Sequence, residues 1–334
     1  MDTPGRRRIQ LGYWERNQTF RQRGHVILYR KRQLGHYVHL VARDRFLYML
    51  ALPGLLFFAL FKYVPMWGLV IAFQDYSPYL GIRNSDWVGL DHFIRFFGSD
   101  DFYLLLRNTL AISSLNLLLF FPAPIVIAIM LNEARRQLFK RIVQTVIYFP
   151  HFLSWVIIAG ISFIMLGQAD GVVNAILNRL GFESVGFLTT PEMFWPMLIV
   201  QNIWKDAGWG TVIFLAALSG IDPTLYEAAR MDGASRLRTI WHITLPGIRN
   251  VIVVLFILKL GEIMDVGFEQ VFLMGNVAVS SVADIFDTYV YRNGVLNGEF
   301  SYTASVGMFK SIVGMIMVIT ANKLAKWLGQ DGLY

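Results

Sequence analysis

The chain of 334 residues is 55% hydrophobic and 16% charged, with a mean hydropathy of +0.48. One soluble core cannot hide that much apolar surface, so the composition excludes a soluble globular domain and predicts an all-α integral membrane protein. The absence of cysteine excludes disulfides, thiolate metal sites and a cysteine nucleophile.

The formal net charge of +7 is unevenly spread. Residues 1–45 carry eleven Lys and Arg against three acids, and the remainder carries nineteen against twenty. The surplus belongs to a basic tail over 1–45, so it implies neither an acidic cargo nor a nucleic-acid partner. A basic run just before a span is a topology signal that holds the N-terminus in the cytoplasm, where it can lie on anionic lipid. The first apolar stretch begins too late and is too long for a signal peptide.

A hydrocarbon layer of ~30 Å needs roughly 20 apolar residues in helical form. Six stretches qualify: 46–73, 104–131, 142–166, 194–219, 251–271 and 304–324. Together they define a transmembrane domain over 46–328, followed by a short C-terminus over 329–334 that is expected in the cytoplasm. The first stretch is interrupted by Lys62 and Pro65, the second by Pro122 and Pro124. Short loops rich in Lys and Arg stay inside. Arg135, Arg136, Lys140 and Arg141 follow the second stretch, and Arg230, Arg236, Arg238 and Arg249 follow the fourth, so these loops are expected in the cytoplasm with both termini. The loops after the first, third and fifth stretches are poor in basic residues and are expected outside.

Two of the outer segments read as folded. Residues 87–97 (WVGLDHFIRFF) form an amphipathic pattern expected to lie at the interface. Residues 268–302 mix small, polar and aromatic side chains; Tyr289, Tyr291 and Tyr302 form either an interfacial belt or a stacking surface for sugar rings.

Residues 222–246 break the apolar pattern with a mostly polar loop. Asp222 is a good N-cap and Pro223 a good first helical residue, because the cap oxygen accepts an orphan amide and proline has none to orphan. The pattern predicts a helix from Pro223 to Asp232 and a turn at Gly233, which takes positive φ at little cost. A second helix is expected over 234–244, stopped where Pro246 forces Leu245 out of the α region. A capped helix pair of this kind moves as one body, which suits a docking surface.

Chemistry-bearing motifs are absent. There is no G-x-x-x-x-G-K-[ST] phosphate loop, no H-E-x-x-H, no G-x-S-x-G and no His cluster at ligand spacing, so neither a nucleotide site, a metal site nor a hydrolytic centre is supported. Charged residues inside spans are costly and each needs a partner. Lys259 and Glu262 stand three apart on one helical face and can neutralise one another. Lys205, Asp206 and Lys310 are expected to snorkel toward a boundary. Asn108, Trp155, Asn202, Trp204 and Glu262 join hydrogen-bonding or stacking groups to span positions and suit a polyhydroxylated cargo; helix packing explains such residues equally well.

Within the polar loop, Glu227, Ala228 and Ala229, then Gly233, then Ile243, Leu245 and Pro246 fit the spacing EAA, three residues, G, nine residues, I, one residue, LP. This resembles the cytoplasmic EAA loop of the membrane subunits of binding-protein-dependent ABC importers. The segment LPGLLFFALFKYVPMWGLVIAFQDY with the following WVGLDHF, and then NTLAISSLNLL, QTVIYFPHFLSWVI and WGTVIFLAALSGIDPTLYEAARMDGA, are similar to the oligosaccharide and polysaccharide branch, which includes alginate permeases. The likeness runs from about residue 46 to the end.

The resemblance implies a type I, maltose-like permease fold with six transmembrane helices. It also implies a second permease subunit, identical or different, two ATPase subunits that bind ATP and Mg, and an extracytoplasmic solute-binding protein. The chain itself would be non-catalytic, without a cofactor. By the same resemblance Glu227 is the acid that pairs with the ATPase and Gly233 makes the turn, with Ala228, Ala229, Asp232, Ile243, Leu245 and Pro246 completing the coupling loop. The reading of the residues keeps another solute, or an ion-coupled carrier with titratable groups at mid-membrane, as the alternatives.

Overall fold

A computed structural model describes residues 43–327 together with Gly329 and Gly332. The basic tail lies outside the described residues up to position 42, as does most of 329–334. Two compact units meet in sequence at Gly68 and Leu69. Their described residues are mostly helical. Among the described residues the strand content is one short ladder, Gln74–Asp75 paired antiparallel with Asp86–Trp87.

In the first unit the Arg45–Phe58 helix continues through a π turn, Ala59–Tyr63, into Val64–Met66. The same device recurs twice. Asn116–Phe120 is a π turn before the Pro122–Glu133 helix, and Ile240–Thr244 is one before Leu245–Gly247. Each time, the residue just before a proline donates its amide five residues back: Val64 to Ala59, Phe121 to Asn116 and Leu245 to Ile240. The widened turn moves the fourth preceding carbonyl away from the proline ring and absorbs the missing donor, so the helix passes through instead of breaking. The expected stop at Pro246 is therefore corrected: Leu245 stays helical at φ −64 and ψ −46.

Among the described residues three helices are long and apolar enough to cross a membrane: Arg45–Phe73, Asp100–Glu133 and Phe300–Trp327. Three bent pairs pass the same test when each is taken together. Two single spans expected from the sequence are broken. The stretch 142–166 consists of Gln137–Phe152 and Trp155–Leu166, bent by 102°. Leu153 and Ser154 are both extended there, and the Ser154 hydroxyl accepts the Ile157 amide to start the second helix. The stretch 251–271 is helical only to Gly261; residues 262–267 run without helix, Gly267 takes φ +98, and Phe268–Met274 follows.

The Pro191–Ser219 helix is the centre of the second unit. Along it run Pro122–Glu133 on one side and Gln137–Tyr148 on another. Its glycines set these distances: a Cβ on Gly208 would lie 2.0 Å from the Ile147 carbonyl oxygen, and one on Gly210 would lie 2.9 Å from Pro124 Cγ. Small residues that let backbones approach are the usual basis of helix packing in lipid.

Three apolar clusters hold the unit. One gathers Ile112, Phe194, Leu198, Val271 and Ile285. A second is aromatic, with Phe96 against Phe102, Phe286, Tyr302 and Phe309 in edge-to-face contacts of 5.2 to 6.3 Å. The third, Ile125, Phe214, Leu218 and Ile248, lies at the root of the polar loop. Within residues 87–97, Trp87 belongs to the ladder, a helix runs over Asp91–Phe97, and Phe96 is wholly buried.

Candidate functional site

The polar loop folds as an elbow. Asp222 caps the Pro223–Met231 helix, its Oδ1 accepting the Thr224 amide at 2.9 Å, and this hydrogen bond holds the carboxyl below its usual range. At the far end the amide of Ala234 reaches the Ala229 carbonyl and that of Gly233 reaches Arg230, a paired closure that requires the left-handed residue Gly233 at φ +71. Ser235, which sequence reasoning passed over, then caps Arg236–Thr239.

The elbow closes on itself at its root. The Tyr226 hydroxyl lies 3.2 Å from Thr244 Oγ1, and a Cβ on Gly247 would come within 2.6 Å of Ile221 Cδ1. Leu245 and Ile221 pack on the third apolar cluster. Glu227 and Asp232 are exposed, as are Ala228 and Pro246, while Ala229 and Ile243 are partly covered. Glu227 has no ion-pair partner among the described residues. It lines a polar cavity of about 640 Å³ with Asn132, Arg135, Arg230 and Arg236. Met231, Leu237 and Trp241 are exposed apolar side chains on the same elbow.

A second cavity of about 260 Å³ lies between the two helix breaks and brings together Trp155, Asn202 and Glu262. Ser113, Asn116, Asp206, Lys259, Asp265 and Gln270 complete its polar lining. Two of its carboxylates, Glu262 and Asp265, meet lysines, and the third, Asp206, meets an imidazole. Lys259 bonds Glu262 at 3.0 Å, His151 Nδ1 lies 2.8 Å from Asp206, and Lys310 bonds Asp265 at 2.8 Å. Asn202 donates to Asn116 Oδ1 at 3.0 Å. What the space offers is amide and indole surface beside hydrogen-bonded carboxylates, an arrangement that suits hydroxyl groups.

The other two residues grouped with these in sequence stand elsewhere. Asn108 is fully buried and donates to the backbone carbonyls of Ser281 and Asp284, a packing role. Trp204 is half-exposed and does not line the cavity. Sequence reasoning missed Asn116 and Gln270; the signal available was an amide side chain inside an apolar stretch.

The snorkelling expected of Lys205, Asp206 and Lys310 is also corrected. Lys205 is 8% exposed and donates to the carbonyls of His151 and Leu153 at 2.9 and 2.6 Å. Asp206 turns to His151. Lys310, equally buried, is held by Asp265 and Asp287. An ammonium inside a span costs about 2.5–3.5 kcal/mol on insertion scales, so such internal partners are the cheaper solution where a boundary is out of reach.

Tyr289 and Tyr302 are not a stacking surface. Both are buried with hydroxyls 3.1 Å apart, and burial pushes the Tyr289 phenol up. Tyr291 packs against Phe268 and Phe272. Nearby, Arg95 pairs with Glu299 at 3.0 Å, which raises the guanidinium further. Among the described residues no group of three or more His, Asp or Glu is arranged to hold a metal ion.

Comparisons with known proteins agree with one another. Residues 121–330 match the family described as the binding-protein-dependent transport system inner membrane component. The chain is 53% identical over 309 residues to the polygalacturonan/rhamnogalacturonan transport system permease protein YteP of Bacillus subtilis (strain 168), covering 92% of this chain and 96% of that one. It is 53% identical over 292 residues to Protein LplB of the same organism, covering 87% and 92%. Among solved structures, a bacterial alginate ABC transporter in complex with an alginate pentasaccharide-bound periplasmic protein has a chain of 40% identity and TM-score 0.81, with 88% of this chain and 98% of that chain covered. The capped elbow, the apolar helices and these likenesses lead to one assignment: the chain belongs to the inner membrane components of binding-protein-dependent transport systems, as the permease subunit of an ABC importer.

Proposed function

We propose that six spans, namely the three unbroken helices, the bent pair Gln137–Phe152 with Trp155–Leu166, and the helices Pro191–Ser219 and Arg249–Gly261, form a type I permease that lines the path for an oligosaccharide or polysaccharide fragment. An extracytoplasmic solute-binding protein delivers the cargo, a second permease subunit completes the path, and two ATPase subunits that hold ATP and Mg drive it from the cytoplasmic side. The loop 222–246 is the coupling loop and faces the cytoplasm with both termini. The observation that carries the reading is the elbow itself: a helix pair capped at Asp222 and Ser235, turned at Gly233 and fastened by Tyr226 to Thr244. A body so braced transmits a displacement that a slack linker would absorb. Its exposed Met231, Leu237 and Trp241 and the unpaired Glu227 supply the apolar and charged contacts that a docking partner needs.

The cargo class is supported by the names of the relatives and by the amide-rich cavity around Trp155, Asn202 and Glu262. Between conformations, ATP binding closes the ATPase pair, the elbow carries that closure to the spans, and the cavity opens to the other side; hydrolysis resets it. The deciding experiment reconstitutes the permease in vesicles with the solute-binding protein and an oligogalacturonide probe, with and without the ATPase subunits. Uptake that needs both the ATPase and ATP is expected. Uptake without them, or labelling of an Arg236→Cys variant only from outside, would sink the reading.

A further inference from the structure

The break at Leu153 is held by one side chain from another helix. A break inside a span leaves backbone carbonyls without intrahelical donors, and in lipid there is no water to satisfy them. Lys205, in the middle of the Pro191–Ser219 helix, meets two of them, donating to the His151 and Leu153 carbonyls at 2.9 and 2.6 Å. Its Nζ also stands 5.5 Å from the centre of the Trp155 ring, the first residue past the break. The next residue, Asp206, takes His151 Nδ1 at 2.8 Å, and that imidazole stacks flat on Trp209 at 4.7 Å. Both Trp155 and Asp206 face the cavity; Lys205 does not.

We infer that Lys205 is a positioning residue: its ammonium pins the break in the third span and thereby sets where Trp155 stands on the cavity wall, which makes it a determinant of cargo fit. The link to cargo rests on the transport reading above; the pinning of the break does not. An ammonium aimed at carbonyl oxygens makes stronger hydrogen bonds than a neutral donor, and the two bonds fix the bend at two points.

The test uses the complete complex. Because the chain has no cysteine, a Val146→Cys and Ile164→Cys pair on the two arms of the break can be spin-labelled uniquely in the purified chain before assembly and their separation measured in the complex. In Lys205→Met the separation should lengthen or broaden by about 5 Å, one helical turn. For the oligogalacturonide probe, KM should rise about tenfold while kcat stays within about threefold, the split expected of altered binding. Lys205→Arg, which keeps the charge and the donors, should restore both. Where Lys205→Met does not assemble, Lys205→Gln serves: neutral and one bond shorter, it cannot reach both carbonyls, and the same shifts are expected. An unchanged separation with an unchanged KM in either variant overturns the inference. A shifted separation in a complex that does not take up the probe upholds the pinned break and counts only against the cargo class.

Discussion

Tyr226 and Thr244 stand 18 positions apart in sequence and share a hydroxyl-to-hydroxyl contact of 3.2 Å, with Thr244 fully buried. The contact ties the first arm of the elbow to the π turn of the second. Tyr226→Phe removes one oxygen and leaves the ring, so the loss is about 1 kcal/mol, the net worth of an ordinary hydrogen bond. Hydrogen exchange at residues 240–244 should quicken about fivefold, and cargo moved per ATP hydrolysed should fall with no loss of membrane insertion. Unchanged exchange would mean that the arms are held by the Ile221 and Leu245 packing alone.

The turn between the arms is more demanding. Gly233 sits at φ +71, where a Cβ costs about 1–2 kcal/mol, although no atom stands in the way. Gly233→Ala should therefore lower coupling modestly. Gly233→Pro, fixed at negative φ and unable to donate to Arg230, should abolish uptake while the protein still inserts. Wild-type uptake by the proline variant, normalised to permease in the membrane, would count against a rigid elbow.

Much of the elbow was legible because its signals are local. Asp222, Pro223 and Gly233 act on their own backbone, and a cap or a positive-φ turn needs no tertiary partner. What failed to read out is also physical. Pro246 looked like a stop because the rule for the residue before proline assumes an ordinary α turn; a π turn relieves the same clash, and nothing in the residue types of 240–244 announces it. The breaks near Leu153 and after Gly261 were invisible to hydropathy, which counts apolar residues and is blind to direction. Lys205 and Lys310 were misplaced because their partners, the His151 and Leu153 carbonyls in one case and Asp265 and Asp287 in the other, lie far away in sequence. Of the five residues grouped for the cargo path, Trp155, Asn202 and Glu262 converge, since convergence is decided by bends that a single sequence does not display.

Close backbone approach makes Gly208 a sharp test of the packing. A Cβ there would sit 2.0 Å from the Ile147 carbonyl oxygen and 2.6 Å from its carbon, both main-chain atoms that cannot rotate away. Gly208→Ala should cost at least about 3 kcal/mol, at the upper end of overpacking penalties, and reduce the amount of assembled complex severely. Gly210→Ala meets only a proline ring carbon at 2.9 Å and should cost about 1 kcal/mol, within reach of a small tilt. Thermal unfolding of the purified complexes ranks the two; equal losses would contradict the described contact with the Gln137–Tyr148 helix.

The Asp222 cap gives the elbow a defined pH response. Its carboxyl lies below the ordinary value of 3.8 because the ionised form accepts the Thr224 amide. A depressed folded value means that the stabilisation is fully present above 3.8 and is lost as pH falls through the lower, folded value. Amide exchange at Thr224, corrected for the intrinsic pH dependence of exchange, should quicken only in that acid window. Asp222→Asn, which keeps the accepting oxygen without the charge, should remove the pH dependence while retaining most of the cap. A pH dependence that survives the Asn substitution would assign the response to another group.

Lys310 joins three elements that the sequence separates widely: the last helix, the unwound segment through Asp265, and the short Phe286–Val290 helix through Asp287. The lysine is 9% exposed at its side chain and Asp287 23%, whereas Asp265 is 68% exposed, so the Asp287 pair carries most of the energy and the Asp265 pair is screened. Lys310→Met leaves the Asp287 carboxylate half of a buried pair and should destabilise the complex by about 3 kcal/mol, the lower end for breaking such pairs. Adding Asp287→Asn removes the stranded charge, so the double variant should be more stable than Lys310→Met alone. Adding Asp265→Asn instead should recover little. Thermal unfolding of these three variants beside the wild type ranks the two pairs, and a Lys310→Met, Asp287→Asn double variant no better than Lys310→Met would show that the lysine acts through packing of its stem rather than through the ion pair.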